Sequence, residues 1–258
     1  KYKNLYPLTY GGDYVIQGSS VTFTTTVATG YTFNHWYKRG SDVALSANTT
    51  YTTTIDESPV VMTASYTEIK YNVTVIANPA SGGTVTPAEV TLMGQANGGS
   101  INATANPGYT FTNWSRTSGS GNFSTTGTHD TWSIANTKYR PTSVSTIQAN
   151  FTANNYTITL TNHGATTAGT TSVSVTFDAT TGLTTGISVP SKTGYIFSGY
   201  DTGEDGIGTQ LINSAGAWQT GNAWINGSSQ WKNAGDVELH AKWTPKTTTI
   251  SFSQSGEG

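Results

Sequence analysis

The sequence predicts an all-β or β-rich α+β protein built as three small modules in tandem. Three observations carry that reading. Only 10% of the 258 residues are charged, and threonine, serine, asparagine and glycine take the places that lysine and glutamate fill in helical proteins; these residues favour strands and turns. A turn glycine followed by an aromatic strand occurs three times, as Gly30-Tyr31-Thr32-Phe33-Asn34-His35-Trp36, Gly108-Tyr109-Thr110-Phe111-Thr112-Asn113-Trp114 and Gly194-Tyr195-Ile196-Phe197-Ser198-Gly199-Tyr200. A closing pattern also occurs three times, in Ala64-Ser65-Tyr66, Ala149-Asn150-Phe151 and Ala241-Lys242-Trp243, with Met62, Ile147 and Leu239 two residues before the alanine.

In each aromatic strand the first and third residues point to one face, which marks Tyr31, Phe33, Tyr109, Phe111, Tyr195 and Phe197 as module core. The last aromatic, Trp36, Trp114 or Tyr200, is five positions from the first and falls on the opposite face unless a bulge resets the parity. Both placements stay open from the residues alone. The closing pattern alternates apolar with polar residues, as a half-buried strand does.

The repeat spacing divides the chain into modules at 1–68, 69–153 and 154–245, with 246–258 reading as the start of a further one. In the first, Tyr6 to Tyr10, Gly11-Gly12 and Tyr14 to Ile16 form an expected hairpin, Val21 to Val27 a strand, and Val60 to Tyr66 the closing strand. In the second, Tyr71 to Val75 opens the module, Asn78-Pro79 and Gly82-Gly83 turn the chain, and Ser100 to Ala105 leads into the aromatic strand. The long insertion at 115–145, carrying Phe123, Trp132, Tyr139 and Arg140, is expected to hold another hairpin, because bare loops of that length are uncommon. In the third, Tyr156 to Leu160 and Val173 to Phe177 are strands, and a glycine-rich stretch with Trp218, Trp224 and Trp231 precedes the closing strand. The alternation at 247–252 is that of one more opening strand.

Val175-Thr176-Phe177-Asp178, then Pro190-Ser191-Lys192-Thr193-Gly194-Tyr195-Ile196-Phe197-Ser198-Gly199-Tyr200, then Leu239-His240-Ala241-Lys242-Trp243 together resemble the Listeria-Bacteroides repeat, the internalin B-repeat family. The third module resembles it closely, and the first two look like divergent relatives. The resemblance implies small β-rich modules, related to the β-grasp fold, in stalks or binding regions of bacterial surface proteins. It brings no catalytic residue with it.

The formal net charge of −2 gives no electrostatic footprint for nucleic acid or anionic membrane. With no cysteine there are neither disulfides nor thiolate metal sites. The four histidines, His35, His129, His163 and His240, are not at metal-ligand spacing, and no nucleophile elbow is present. Asp201-Thr202-Gly203-Glu204-Asp205-Gly206 is the one acidic cluster; it lacks the alternation of a calcium loop and reads as a solvated turn. Trp218, Trp224 and Trp231, flanked by amides, are candidate ligand-binding residues for a sugar, yet small domains need their aromatics for the core, and that reading is favoured.

The function expected from these readings is non-enzymatic, with no cofactor. The chain would be an extracellular segment of a bacterial surface protein, acting as an elongated spacer or in adhesion, with a carbohydrate-binding module as the alternative. Its partners would be a surface protein or a glycan, its state monomeric, and any membrane attachment would lie in other parts of the parent protein.

Overall fold

A computed structural model describes residues 15–28, 30–57, 60–93, 100–119, 131–133, 144–204 and 207–256. Within them the regular structure is β-strand, and the only helical turn is the 3-10 turn Ala80–Gly82. Of the two expected classes, all-β is the one observed.

The first repeat consists of two antiparallel ribbons. Strand β1 (Ser20–Thr24) pairs with β3 (Thr50–Thr54), and β2 (Tyr31–Lys38) pairs with β4 (Met62–Glu68). A two-stranded ribbon alone is marginal in water, and here Trp36 ties the two together. It is wholly buried, with its ring centroid 6.1 Å from Phe23 of β1 and 5.9 Å from Phe33 of its own strand. Of the hairpin expected over residues 6–16, residues 6–14 lie outside the described residues, and Val15 and Ile16 belong to no strand.

The second repeat contains β5 (Lys70–Asn78), β6 (Gly83–Thr86), β7 (Glu89–Met93), β8 (Ser100–Ala105), β9 (Tyr109–Ser118), β10 (Thr131–Ser133) and β11 (Ser145–Ala153). A four-stranded sheet runs β7-β5-β11-β9, and a three-stranded one runs β10-β8-β6. The central pair β5 and β11 is parallel and its other neighbours antiparallel. Val73, Val75, Ile101, Trp114, Ile147 and Phe151 fill the space between the sheets. Phe151 explains Gly83: a Cβ there would stand 2.4 Å from both the ring and the Thr104 carbonyl oxygen. Of the long insertion, β10 is described and adds an edge strand to β8; Phe123, Tyr139, Arg140 and His129 lie outside the described residues.

The third repeat is one five-stranded sheet, β13-β12-β16-β14-β15, built from β12 (Asn155–Thr161), β13 (Ser172–Thr176), β14 (Tyr195–Asp201), β15 (Gln210–Asn213) and β16 (Val237–Pro245). Its opening and closing strands, β12 and β16, again pair in parallel, with the aromatic strand antiparallel on the far side of the closing strand. The order β13-β12-β16-β14 thus reproduces β7-β5-β11-β9. Irregular loops, rather than a second sheet, cover its core of Ile158, Leu160, Phe197, Tyr200, Ile212, Trp231 and Leu239.

Candidate functional site at the joint between repeats

All three aromatic strands contain the same irregularity. Phe33 faces Tyr66 and His35 faces Ser65, leaving Asn34 as the extra residue; Thr112 and Ser198 are the extra residues at the same place in the other two strands. The bulge resets the parity, so both aromatics point to the core: Phe33–Trp36, Phe111–Trp114 and Phe197–Tyr200 have centroids 5.9, 5.6 and 5.1 Å apart. The fully buried rings are the last ones, Trp36, Trp114 and Tyr200. Phe197 is buried, whereas Phe33, Phe111, Tyr31 and Tyr109 are half-buried. Tyr195 corrects the sequence expectation. It is 37% exposed and not a core residue, because it sits at the open rim of the sheet with the Lys192 ammonium over its ring, 4.7 Å from the centroid.

The turn before each aromatic strand is also the same. Gly30, Gly108 and Gly194 take φ of 88°, 87° and 80°, the left-handed region that glycine enters without steric cost. The amide of the following tyrosine closes the turn onto the carbonyl of Ala28, Asn106 or Lys192, and the glycine carbonyl accepts from the amide of Ile69, Asn154 or Lys246, at 2.8 Å in all three. Those three donors are the residues that immediately follow the closing strands. Between β4 and β5, and between β11 and β12, the link is that single residue. A short link pinned by a backbone hydrogen bond has little freedom to swing.

At Gly108 the next repeat adds side-chain contacts. Phe177, just beyond β13, lies against the turn glycine, where a Cβ would meet its ring at 2.5 Å. Its ring meets Tyr109 edge to face, centroids 5.5 Å apart, and the Tyr109 hydroxyl donates to Asp178 Oδ2 at 3.0 Å. Asp178 also pairs with the Lys232 ammonium. That hydrogen bond, aided by the Tyr109 hydroxyl, holds its carboxyl below the usual range despite partial burial. Three further bonds fix the corner: the Phe177 amide to the Asn154 carbonyl, the Asp178 amide to the Trp231 carbonyl, and Gln230 Nε2 to the Asp178 carbonyl. The joint therefore combines aromatic packing with an ionic hydrogen-bond network. Its signal in the sequence was the Phe177-Asp178 pair, which the repeat pattern identified without indicating its partner.

The tryptophan-rich stretch serves the same corner. Trp231 is wholly buried, and Trp224 and Trp218 pack partly buried against the core. Trp224 lies 5.9 Å from Trp231, and Trp218 Nε1 donates to the Thr185 carbonyl. Asn213, Asn222 and Asn226 each accept two backbone amides and so hold the intervening turns. The stretch reads as packing and bracing for residues 230–232, which grip Asp178.

On the opposite sheet face, Thr161, His240, Asp201 and Gln210 stand opposite one another across four strands. His240 is buried and its Nδ1 lies 3.0 Å from His163 Nε2, one nitrogen donating and the other accepting. Asp201 is buried, burial raises its pKa, and its Oδ2 has no hydrogen-bond partner among the described residues. Asp205 and Gly206 of the acidic loop lie outside the described residues. Among the described residues no three His, Cys, Asp or Glu side chains converge as a metal site would require, and no helix is long and apolar enough to cross a membrane.

The bulge and the turn recur in all three repeats, and the sheet order in the second and third, which defines a protein of tandem small β repeats. Comparison with known families agrees: the Divergent InlB B-repeat domain matches residues 8–70 and 73–155, and the chain belongs to that family. The two matches fall on the first two repeats, and the third repeat lies beyond them. No curated protein and no solved structure matches the chain.

Proposed function

We propose that the chain is an extracellular, non-catalytic spacer segment of a bacterial surface protein, monomeric, with its repeats in line at restrained angles. The observation that carries this reading is the repeated joint. A one-residue link is pinned to a turn glycine, and at Gly108 it is reinforced by Phe177 and Asp178. Elements built to fix the angle between successive units serve to hold something at a distance, since an adhesive domain does not need them.

The glycan-binding alternative requires open aromatic faces, and Trp218, Trp224 and Trp231 all pack against the third core. Adhesion through another surface protein stays within the spacer reading, with the partner bound elsewhere on the parent molecule. Small-angle scattering tests the proposal. An extended particle supports it, and a radius of gyration near the roughly 18 Å of a single globule of this length overturns it.

A further inference from the structure

We propose that the Gly194–Tyr195 turn of the third repeat is a docking socket for an aromatic–aspartate corner like Phe177–Asp178, and that its occupant is a further copy of this repeat following Lys246. The proposal rests on the spacer reading and names the partner of that spacer's far end.

The three turns share one backbone geometry, so their surroundings can be compared directly. At Gly108 a Cβ would meet the Phe177 ring at 2.5 Å, and at Gly194 it would meet nothing within 4 Å. Tyr109 is half-buried against Phe177 and bonded to Asp178. Tyr195 is exposed, and its hydroxyl has no hydrogen-bond partner among the described residues. An aromatic ring and phenol at the same site are thus covered in one repeat and bare in the next.

The chemistry of the bare site matches the corner. Asp178 is held in the occupied joint by a tyrosine hydroxyl and a lysine ammonium. At the open turn Lys192 stands where the occupied one has Asn106, and its ammonium lies over the Tyr195 ring. An arriving aspartate would again meet a phenol donor. In the occupied joint the ammonium, Lys232, comes from the repeat that carries Asp178. At the open turn the socket adds one of its own, Lys192, which also donates to the His163 carbonyl at 3.1 Å, for a charge-assisted bond of the stronger kind. The chain after Lys246 is also suited to the role. Residues 247–252 alternate as β12 does after Asn154, yet they pair with no strand among the described residues and leave Ile250 and Phe252 exposed. In the occupied joint, β12 and its partner β13 are what deliver Phe177. A second molecule of this chain cannot supply its own corner, because that corner is already engaged at Tyr109.

Tyrosine nitration by tetranitromethane, mapped by peptide mass spectrometry on the full chain, provides the test. Tyr195 should react readily while Tyr109 is protected, and Phe177→Ala should raise Tyr109 to the reactivity of Tyr195. If Tyr109 stays protected in that variant, the corner is not what covers this turn and the proposal fails. The full chain is then extended at Lys246 by a copy of residues 155–246. Tyr195 should drop to the reactivity of Tyr109, and Phe177→Ala in the appended copy alone should restore it. Undiminished reactivity in the extended chain, protection that survives the second variant, or protection of the unextended chain at high concentration would each overturn the proposal. Scattering plays no part in these readouts, so the socket and the spacer reading can fail separately.

Discussion

Phe177 stands edge-on to Tyr109, ring centroids 5.5 Å apart and planes at 78°, and the Tyr109 hydroxyl reaches past it to the carboxylate of Asp178. Two adjacent residues of one repeat thus engage one tyrosine of the repeat before it, the first by packing and the second by a charge-assisted hydrogen bond. The unfolding of the two repeats should be coupled through this contact, as nearest-neighbour terms couple other repeat arrays.

Tyr109→Phe tests the polar half of the contact. The ring packing survives, the bonds to Asp178 and to Ser81 Oγ within the same repeat are lost, and the share across the joint should weaken it by about 1 kcal/mol. Calorimetry should show the transitions of the second and third repeats moving apart. In a double-mutant cycle Tyr109→Phe and Asp178→Asn should be clearly non-additive, as for groups sharing one hydrogen bond.

The joint should also respond to acid. The folded-state pKa of Asp178 lies below its unfolded value, chiefly because Lys232 bonds the carboxylate. A depressed acid pKa contributes stability that is fully present above the unfolded pKa and is lost as pH falls through the folded one. The joint should therefore be unaffected through the neutral range and loosen only below the ordinary carboxylate range. Limited proteolysis near Asn154, followed against pH, should show this acid limb in the native chain and none in Asp178→Asn.

Much of this architecture was legible in the sequence. The turn glycines, the aromatic strands and the closing strands lie where the repeated patterns place them, because period-two alternation and positive φ leave direct traces in residue type. The bulge left none: Asn34, Thr112 and Ser198 are ordinary polar residues, and only the register against the closing strand identifies each as the extra one. The sequence pattern places Tyr195 in the core because it equals that of Tyr109. What differs is whether another repeat lies over it, and a single repeat's sequence carries no information on that. The Asp178 network escaped notice for a related reason, since Lys232 and Gln230 come from a loop more than fifty residues downstream.

The parity reset alters which truncations matter most. Trp36 and Trp114 are fully buried, while Phe33 and Phe111 retain exposure. Trp36→Ala and Trp114→Ala should each cost about 3–5 kcal/mol in their own repeat, and Phe33→Ala and Phe111→Ala distinctly less. Chemical denaturation of the four variants decides the order; equal losses would mean that the bulge does not set the packing.

The pKa of Asp201 is shifted in the opposite direction from that of Asp178. It is 3% exposed in the third repeat, with Oδ2 buried and unbonded among the described residues. Burial is the main cause that raises its pKa, and Lys242 offsets it only in part. A folded-state pKa above the unfolded value means that the folded form holds the proton more tightly, so this group favours folding at low pH. That contribution is lost as pH rises through the unfolded and then the folded pKa, above which the ionised carboxylate is a burden on the fold. Asp201→Asn removes the charge, retains the shape and provides an amide donor. It should raise the neutral-pH stability of the third repeat by an amount on the order of 1 kcal/mol, the scale of a relieved buried polar group. The gain should shrink as pH falls through the folded pKa, because the native carboxyl is then neutral as well. Thermal unfolding of the full chain at neutral and acid pH measures both. A variant less stable than the native chain at neutral pH would show that the ionised carboxylate is needed where it stands.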